Sequence, residues 1–464
     1  MDWVICRTKS KACETAGLSD KGTAHNATTP HLTIISMKTK QPLENYRILD
    51  LSRIWAGPYC TKLLADMGAE VIKMESLSVY DSHRGPVAPA RGIAAYPDGE
   101  PGEEPWNRNG WFNCLHFSKY GVTLELTSPE GRAVFEKLVS ISDVLIENFR
   151  QGSLARLGYD YAALRRARPD LIYVSMPAFG NNGPWQSHLA YGIGQEQLSG
   201  MAHMTGYAGE GPMKSGINHG DPITGSHAAG VVLAALRHRR RTGKGMYIDV
   251  SQQESAVSLI GAEVLAYQVS GQEPERKGNH SSRVAPHNTY PCLGEDRWIT
   301  IAATNDQQWR ALADFIDGTG INTDLAGDRR FTTNEDRLEN QDGLDSIISG
   351  WTTSQDAFQL TERLQEIGVP SSPVLRGPDL LDDPHYRDRG TFVAVDHPQV
   401  GVRRYPGISW KMSATPGEIK WASPALGQHN RQIYGPLLGL TEDEISGLEE
   451  SGVIGTKPTG SRII

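Results

Sequence analysis

The chain has little of what marks special environments. Its 464 residues include only five cysteines (Cys6, Cys13, Cys60, Cys114 and Cys292), an odd number with no CxxC pair. That excludes a disulfide scaffold and a cysteine-bound zinc site, and it fits a reducing cytoplasm, where the protein is expected. No apolar run approaches the ~18 residues of a membrane-spanning helix, so no membrane partner is expected. Positive charge is not in excess: 46 Lys and Arg stand against 54 Asp and Glu, a net charge of −8. Nucleic acid is therefore not an expected partner, because neutralising phosphates needs a positive field.

Several familiar chemistries are also missing. There is no Walker lysine and no GxSxG elbow. Gly192-Ile193-Gly194 lacks the third glycine of a dinucleotide fingerprint, and the first strand runs into Ala56-Gly57-Pro58 instead. His219, Asp221 and His227 do not share one helix face, so no metal is expected. The run Arg237-His238-Arg239-Arg240-Arg241 reads as a helix end complementing its own dipole before Gly243.

What is present is alternation of strand and helix. Residues 47–51 read as a strand, 56–58 as a break, 59–67 as a helix and 70–74 as a second strand. Such a βαβ unit implies a parallel sheet covered by helices. Residues 80–110 have no period and read as a long surface loop. Helices at 131–140 and 161–168 and strands at 143–147, 171–176 and 246–250 continue the alternation. The domain expectation is a disordered extension over 1–44, with Met37 as an alternative start, then a large domain over 45–265. A linker over 266–286, a small α/β domain over 287–390 and a C-terminal segment over 391–464 returning to the large domain complete it.

One carboxylate stands out. His219-Gly220-Asp221-Pro222 precedes an apolar helical stretch, 226–237, so Asp221 reads as an N-cap. The helix dipole favours its charged form, which is the form a nucleophile needs. A plain structural cap has the same local pattern.

As a set, the segments resemble family III CoA-transferases, the class that includes formyl-CoA transferase and carnitine CoA-transferase (CaiB-BaiF). The resemblance rests on Ile48-Leu49-Asp50-Leu51 with Ala56-Gly57-Pro58, and on Gly68-Ala69-Glu70-Val71-Ile72-Lys73-Met74-Glu75. It continues in Asp143-Val144-Leu145-Ile146-Glu147-Asn148-Phe149-Arg150, Leu157-Gly158-Tyr159, Pro169-Asp170-Leu171-Ile172-Tyr173, Gly220-Asp221 and Thr242-Gly243-Lys244-Gly245. The resemblance implies a Rossmann-like large domain, a smaller α/β domain and two chains interlocked as rings. It makes Asp221 the catalytic aspartate, forming an acyl anhydride and then an aspartyl-CoA thioester. No prosthetic cofactor is implied; the coenzyme A thioester is itself a substrate, with a small carboxylic acid as acceptor.

By the same resemblance, CoA contacts fall on Ile54, Trp55, Ala56, Asn148, Phe149 and Arg156. A homodimer is expected, with pairing to a homologous second subunit as the alternative. Departures from formyl-CoA transferases occur at Ser76, Pro177, Leu189 and Gly192. They point away from oxalate and formate, toward a larger, less charged acid, and Trp55 and Tyr191 would suit a long or aromatic acyl group. Gly278-Asn279-His280 occupies the region of the family's glycine-rich loop without being a glycine run. Two other readings are a racemase-type proton transfer, disfavoured because Tyr191-Gly192 replaces that branch's His-Asp pair, and a non-catalytic acyl-CoA-binding subunit.

Overall fold

A computed structural model describes residues 40–320 and 324–460. The expected N-terminal extension lies outside the described residues up to position 39. By Leu43 the chain is already in the core: that side chain is buried among Ile48, Leu64 and Ala65, and its N–H donates to the Met67 carbonyl at 3.1 Å.

Short strands form the centre, almost fully buried except for the edge strand Met246–Asp249, which has no buried residue. They are β1 (Arg47–Asp50), β2 (Glu70–Glu75), β3 (Lys119–Thr123), β4 (Val144–Glu147), β5 (Ile172–Ser175) and β6 (Met246–Asp249). Val, Ile and Leu dominate most of them because both faces of a parallel sheet are covered by helices. All six run parallel in the order β3-β2-β1-β4-β5-β6, with Ile48 between Val71 and Val144. This is the Rossmann order, and it reverses direction between β1 and β4. Loops leaving those two strands therefore turn to opposite faces and open a crevice at their carboxyl ends.

Helices Ala56–Asp66 and Gly220–Thr242 cover one face, where Cys60 and Leu64 meet Ile146, Ile172, Ala228 and Val232. Helices Pro129–Ser140, Tyr161–Ala167 and Glu442–Glu450 cover the other, packing Phe135, Leu138, Leu164, Ile445 and Leu448 onto Leu49, Ile72 and Leu145. A separate antiparallel sheet, β7 (His287–Pro291), β8 (Trp298–Ala302) and β9 (Ser371–Pro373), packs with helices Asp306–Asp317, Gln341–Thr352 and Ala357–Glu366 around Trp309, Phe331 and Trp351. Strands β10 (Phe392–His397) and β11 (Gly401–Pro406) pair as a hairpin. No helix among the described residues is long and apolar enough to cross a membrane.

Four local expectations change. Ala56-Gly57-Pro58 opens the first helix rather than breaking the chain, because a proline in the first turn gives up an N–H that has no helical acceptor. Strand β3 was not anticipated at all. The stretch 80–110 is a surface loop only in part: 90–94 is exposed, but Arg84, Tyr96, Trp106 and Asn107 are buried, and Arg84 forms an ion pair with Glu75 at 2.7 Å. Helix Gly261–Ser270 runs into the expected linker, and only 271–286 is irregular.

The two covering helices on the first face cross closely. A Cβ on Gly225 would lie 2.6 Å from the Ala56 carbonyl oxygen and 3.2 Å from the Cys60 nitrogen, whereas one on Gly230 would meet nothing within 4 Å. Gly225→Ala is expected to cost about 1–3 kcal/mol in denaturant unfolding through overpacking. Gly230→Ala should be neutral or stabilising by up to about 1 kcal/mol from helix propensity alone. Equal effects at the two sites would contradict the close crossing.

Candidate active site

The crevice at the β1/β4 reversal is a cavity of about 620 Å³, a size suited to a small-molecule ligand. Every strand of the central sheet contributes to it from its carboxyl end. The wall includes Arg53 and Ile54 after β1, Ser76 after β2, Glu125 after β3, Asn148 and Phe149 after β4, Pro177 after β5 and Gln252 after β6.

The β1 loop is held in an unfavourable shape. Ile54 has φ +67°, which a β-branched residue rarely adopts. Asn148 binds the preceding residue from both sides: its Oδ1 accepts from Arg53 N–H at 2.7 Å, and its Nδ2 donates to the Arg53 carbonyl at 2.7 Å. Asp81 Oδ1 accepts from Ile54 N–H at 3.1 Å. Asp81 is itself fully buried, and Lys73 at 3.5 Å holds its carboxyl below the usual range despite the cost of burial. Glu147 accepts from Phe149 N–H at 2.6 Å and from the Tyr173 hydroxyl at 2.9 Å, fixing the β4 loop.

Asp221 enters from the far side, on the first turn of helix Gly220–Thr242. It is one position inside the helix rather than its N-cap; His219 precedes the helix with αR angles and no capping side chain. The carboxylate is only 6% exposed and lines the cavity. Burial pushes its pKa up to about 6, and the Ala56 N–H pulls the other way. Desolvation outweighs the helix end in setting this pKa, yet a value of about 6 still leaves the carboxylate mostly ionised at pH 7. A Cβ on Gly192 would run into Asp221 Oδ2, so only glycine leaves room for the carboxylate there.

The approach to Asp221 is fixed by Glu196, a buried carboxylate that sequence reading passed over. It accepts from Ser215 Oγ at 2.9 Å and from His219 N–H at 2.6 Å. Gln195 donates to Gln252 Oε1 at 2.6 Å, and Gln252 donates to the Met176 carbonyl at 2.7 Å. This amide chain leaves Gln195 Oε1 buried beside the start of the helix with no hydrogen-bond partner among the described residues.

The sequence profile of CoA-transferase family III matches residues 43–430. The chain belongs to that family. It is 36% identical to succinyl-CoA–D-citramalate CoA-transferase of Chloroflexus aurantiacus, over 90% of this chain and all of that one. It is 32% identical to succinate–glutarate CoA-transferase of Agrobacterium fabrum, over 86% of this chain and 96% of that one. A solved CAIB/BAIF family protein from Brucella suis is 31% identical and superposes with a TM-score of 0.75, covering 85% of this chain and 98% of that one.

In this family III chain, Ile54, Asn148 and Phe149 lie with Asp221 in the cavity wall. Ala56 is fully buried behind it, with its N–H toward Asp221. Trp55 lies outside the wall, its ring 5.8 Å from that of Trp111. Arg156 is outside as well and donates to the Gln151 carbonyl at 3.2 Å and Ser153 Oγ at 3.0 Å. All of the departures from formyl-CoA transferases, Ser76, Pro177, Leu189 and Gly192, line the cavity. Gly278 and His280 do not; Gly278 N–H bonds the Gly206 carbonyl at 2.8 Å and His280 bonds Asp345 at 2.7 Å. Among the described residues no group of His, Cys, Asp and Glu is placed to hold a metal ion.

The raised pKa of Asp221 carries a stability cost with a definite sign. Its folded value lies above the ordinary 3.8, so this contribution to stability is intact below about pH 4 and is lost as pH rises through about 6. Asp221→Asn should therefore stabilise the fold above about pH 7, by up to ~2–3 kcal/mol, and leave it unchanged near pH 4. Denaturant unfolding at the two pH values checks this; a destabilised variant at neutral pH would contradict it.

Proposed function

We propose that this acyl-CoA:carboxylate CoA-transferase works by double displacement on Asp221. The single observation that carries the reading is a buried carboxylate, flanked by Gly192 and the Ala56 N–H, inside the switch-point cavity. An Asp221 oxygen attacks the thioester carbonyl, the C–S bond breaks, and CoA thiolate and a mixed anhydride form. The thiolate then attacks the Asp221 carbonyl and releases the donor acid, leaving an aspartyl-CoA thioester. An acceptor carboxylate displaces the thiolate to give a second anhydride. Attack of the thiolate on the acceptor carbonyl frees acceptor-CoA and restores Asp221. Water competes with thiolate and acid at each stage, so enclosure of the carboxylate protects the intermediates.

The acids in the two relatives' names are dicarboxylic, and Arg53, Arg150 and His188 line this cavity. We therefore assign the acceptor to small dicarboxylic acids instead of the less charged acid suggested by Ser76, Pro177, Leu189 and Gly192. Coenzyme A is assigned to the crevice lined by Ile54, Asn148 and Phe149, with Arg156 left at its edge. Cys60, Cys114 and Cys292 are free thiols, as a cytoplasmic enzyme would have them.

We also assign a second copy of the chain as partner. Helix Gly261–Ser270 buries none of its residues, and Leu265 and Val269 are 60% and 82% exposed. An apolar helix left open in this way asks for a covering surface.

Incubation with succinyl-CoA and hydroxylamine should leave a hydroxamate on Asp221, seen by peptide mass spectrometry. Asp221→Ala should lose the adduct and at least about 10³-fold in kcat while still binding CoA. Exchange persisting in that variant would refute the mechanism. Because the nucleophile must be ionised, kcat/KM should fall below about pH 6; an acid limb near pH 4 would contradict the buried carboxylate. Light scattering should give twice the 50.8 kDa chain mass, reduced toward one chain by Leu265→Glu with Val269→Glu. A wild-type monomer would rule out the pairing.

A further inference from the structure

Arg53 is a charged group of the cavity wall whose donors meet no acceptor among the described residues. Its guanidinium makes no ion pair and no hydrogen bond among the described residues, although it lines the wall. The contrast with Arg84 is instructive. That guanidinium is fully buried and fully engaged, with Glu75 at 2.7 and 2.9 Å, the Trp106 carbonyl at 3.1 Å and Asn107 Oδ1 at 3.2 Å.

The carboxylates whose fields reach Arg53 are already committed. Glu75 is taken by Arg84 and Asp81 N–H. Glu125 accepts from Ser76 Oγ at 2.7 Å and from Ser78 N–H and Oγ at 2.9 and 3.1 Å. Asp81 is held by Lys73 and the Ile54 and His83 amides. The remaining contact of the Arg53 guanidinium is the Phe149 ring, 5.0 Å from it, which is apolar and accepts nothing at the edge donors. The backbone, meanwhile, is fixed on both sides by Asn148 and followed by the strained Ile54. A guanidinium fork set on a rigid loop, stacked on one face and open at its donors, is built for an anionic oxygen pair.

We propose that Arg53 anchors an anionic group of the bound substrates, the far carboxylate of a dicarboxylic acid or a phosphate of CoA. Both present the same paired oxygens to the fork. The proposal rests on the CoA-transferase reading and deepens it: that reading places Arg53 in the cavity wall, and here its guanidinium is given a specific anionic ligand.

The test uses the full chain as Arg53→Met and Arg53→Lys, with denaturant unfolding to establish that each folds. One arm compares kcat/KM for succinate and butyrate as acceptors, acids of equal length that differ in the second carboxylate. The other measures binding of CoA, dephospho-CoA and succinate by calorimetry, which needs no turnover. A carboxylate anchor predicts that Arg53→Met loses on the order of 10²-fold with succinate and little with butyrate, with CoA affinity unchanged. A phosphate anchor predicts equal losses with both acids and weaker CoA binding, and the difference between CoA and dephospho-CoA identifies the phosphate. In either case Arg53→Lys restores part of the loss, because it keeps the charge without the fork. Unchanged binding of every anion in Arg53→Met overturns the proposal, whether or not the rate falls. Failure of the transferase reading would show separately, as no hydroxamate and no CoA exchange in the wild type.

Discussion

The Asn148 side chain, accepting from the Arg53 N–H and donating to the Arg53 carbonyl, ties the ends of β1 and β4 together where the sheet reverses its order. Everything at the site is arranged around that clasp. The reversal opens the crevice, and the clasp stops its two lips from moving independently. It also holds Ile54 at a positive φ that the chain would not adopt unaided. With the β1 loop in that shape, Ala56 begins its helix at once and turns its N–H toward Asp221. The close crossing at Gly225 then brings the Asp221 helix onto the same helix, so the carboxylate and the amide that faces it come from two packed, rigid elements.

Burying so much polar machinery is costly, and the protein compensates by pairing. Behind the loop, Asp50 would be raised by burial alone, but Lys119 and Lys73 hold it below the usual range. It accepts from the Ser52 N–H at 2.9 Å and the Thr61 hydroxyl at 2.6 Å. Lys119 is in turn lowered to about 8 by burial, against the pull of Asp50. Such a network stores little net stability, but it fixes one geometry, since any half-satisfied arrangement leaves a charge stranded. Asp221 differs from Asp50: among the described residues no cation compensates it, and burial pushes its pKa up to about 6.

The central strands and the family were legible in the sequence because apolar runs such as Val144-Leu145-Ile146 and motifs such as Gly220-Asp221 are local. Strand β3 was not, because Lys119-Tyr120-Gly121 reads as polar and flexible until Asp50 is known to face Lys119. The same holds for 80–110, where Arg84 becomes a core residue only through Glu75 and the distant Pro424 carbonyl. Asp221 was found by its place before an apolar helix, though it lies in the first turn and is not the N-cap. The rise of its pKa through burial was out of reach, because local sequence shows the dipole and not the burial. Glu196 carried no signal of its own; its role depends on Ser215 and His219 returning to meet it.

The most direct test of the account follows an oxygen atom. When the acceptor acid carries oxygen-18 in its carboxylate, double displacement leaves one of those oxygens on the aspartate as acceptor-CoA departs. After turnover, the peptide containing Asp221 should be heavier by one heavy oxygen, and by two after repeated cycles, with the label on that side chain. A peptide that stays unlabelled while product accumulates would mean that CoA passes between acids without a covalent bond to Asp221, and the account would be wrong.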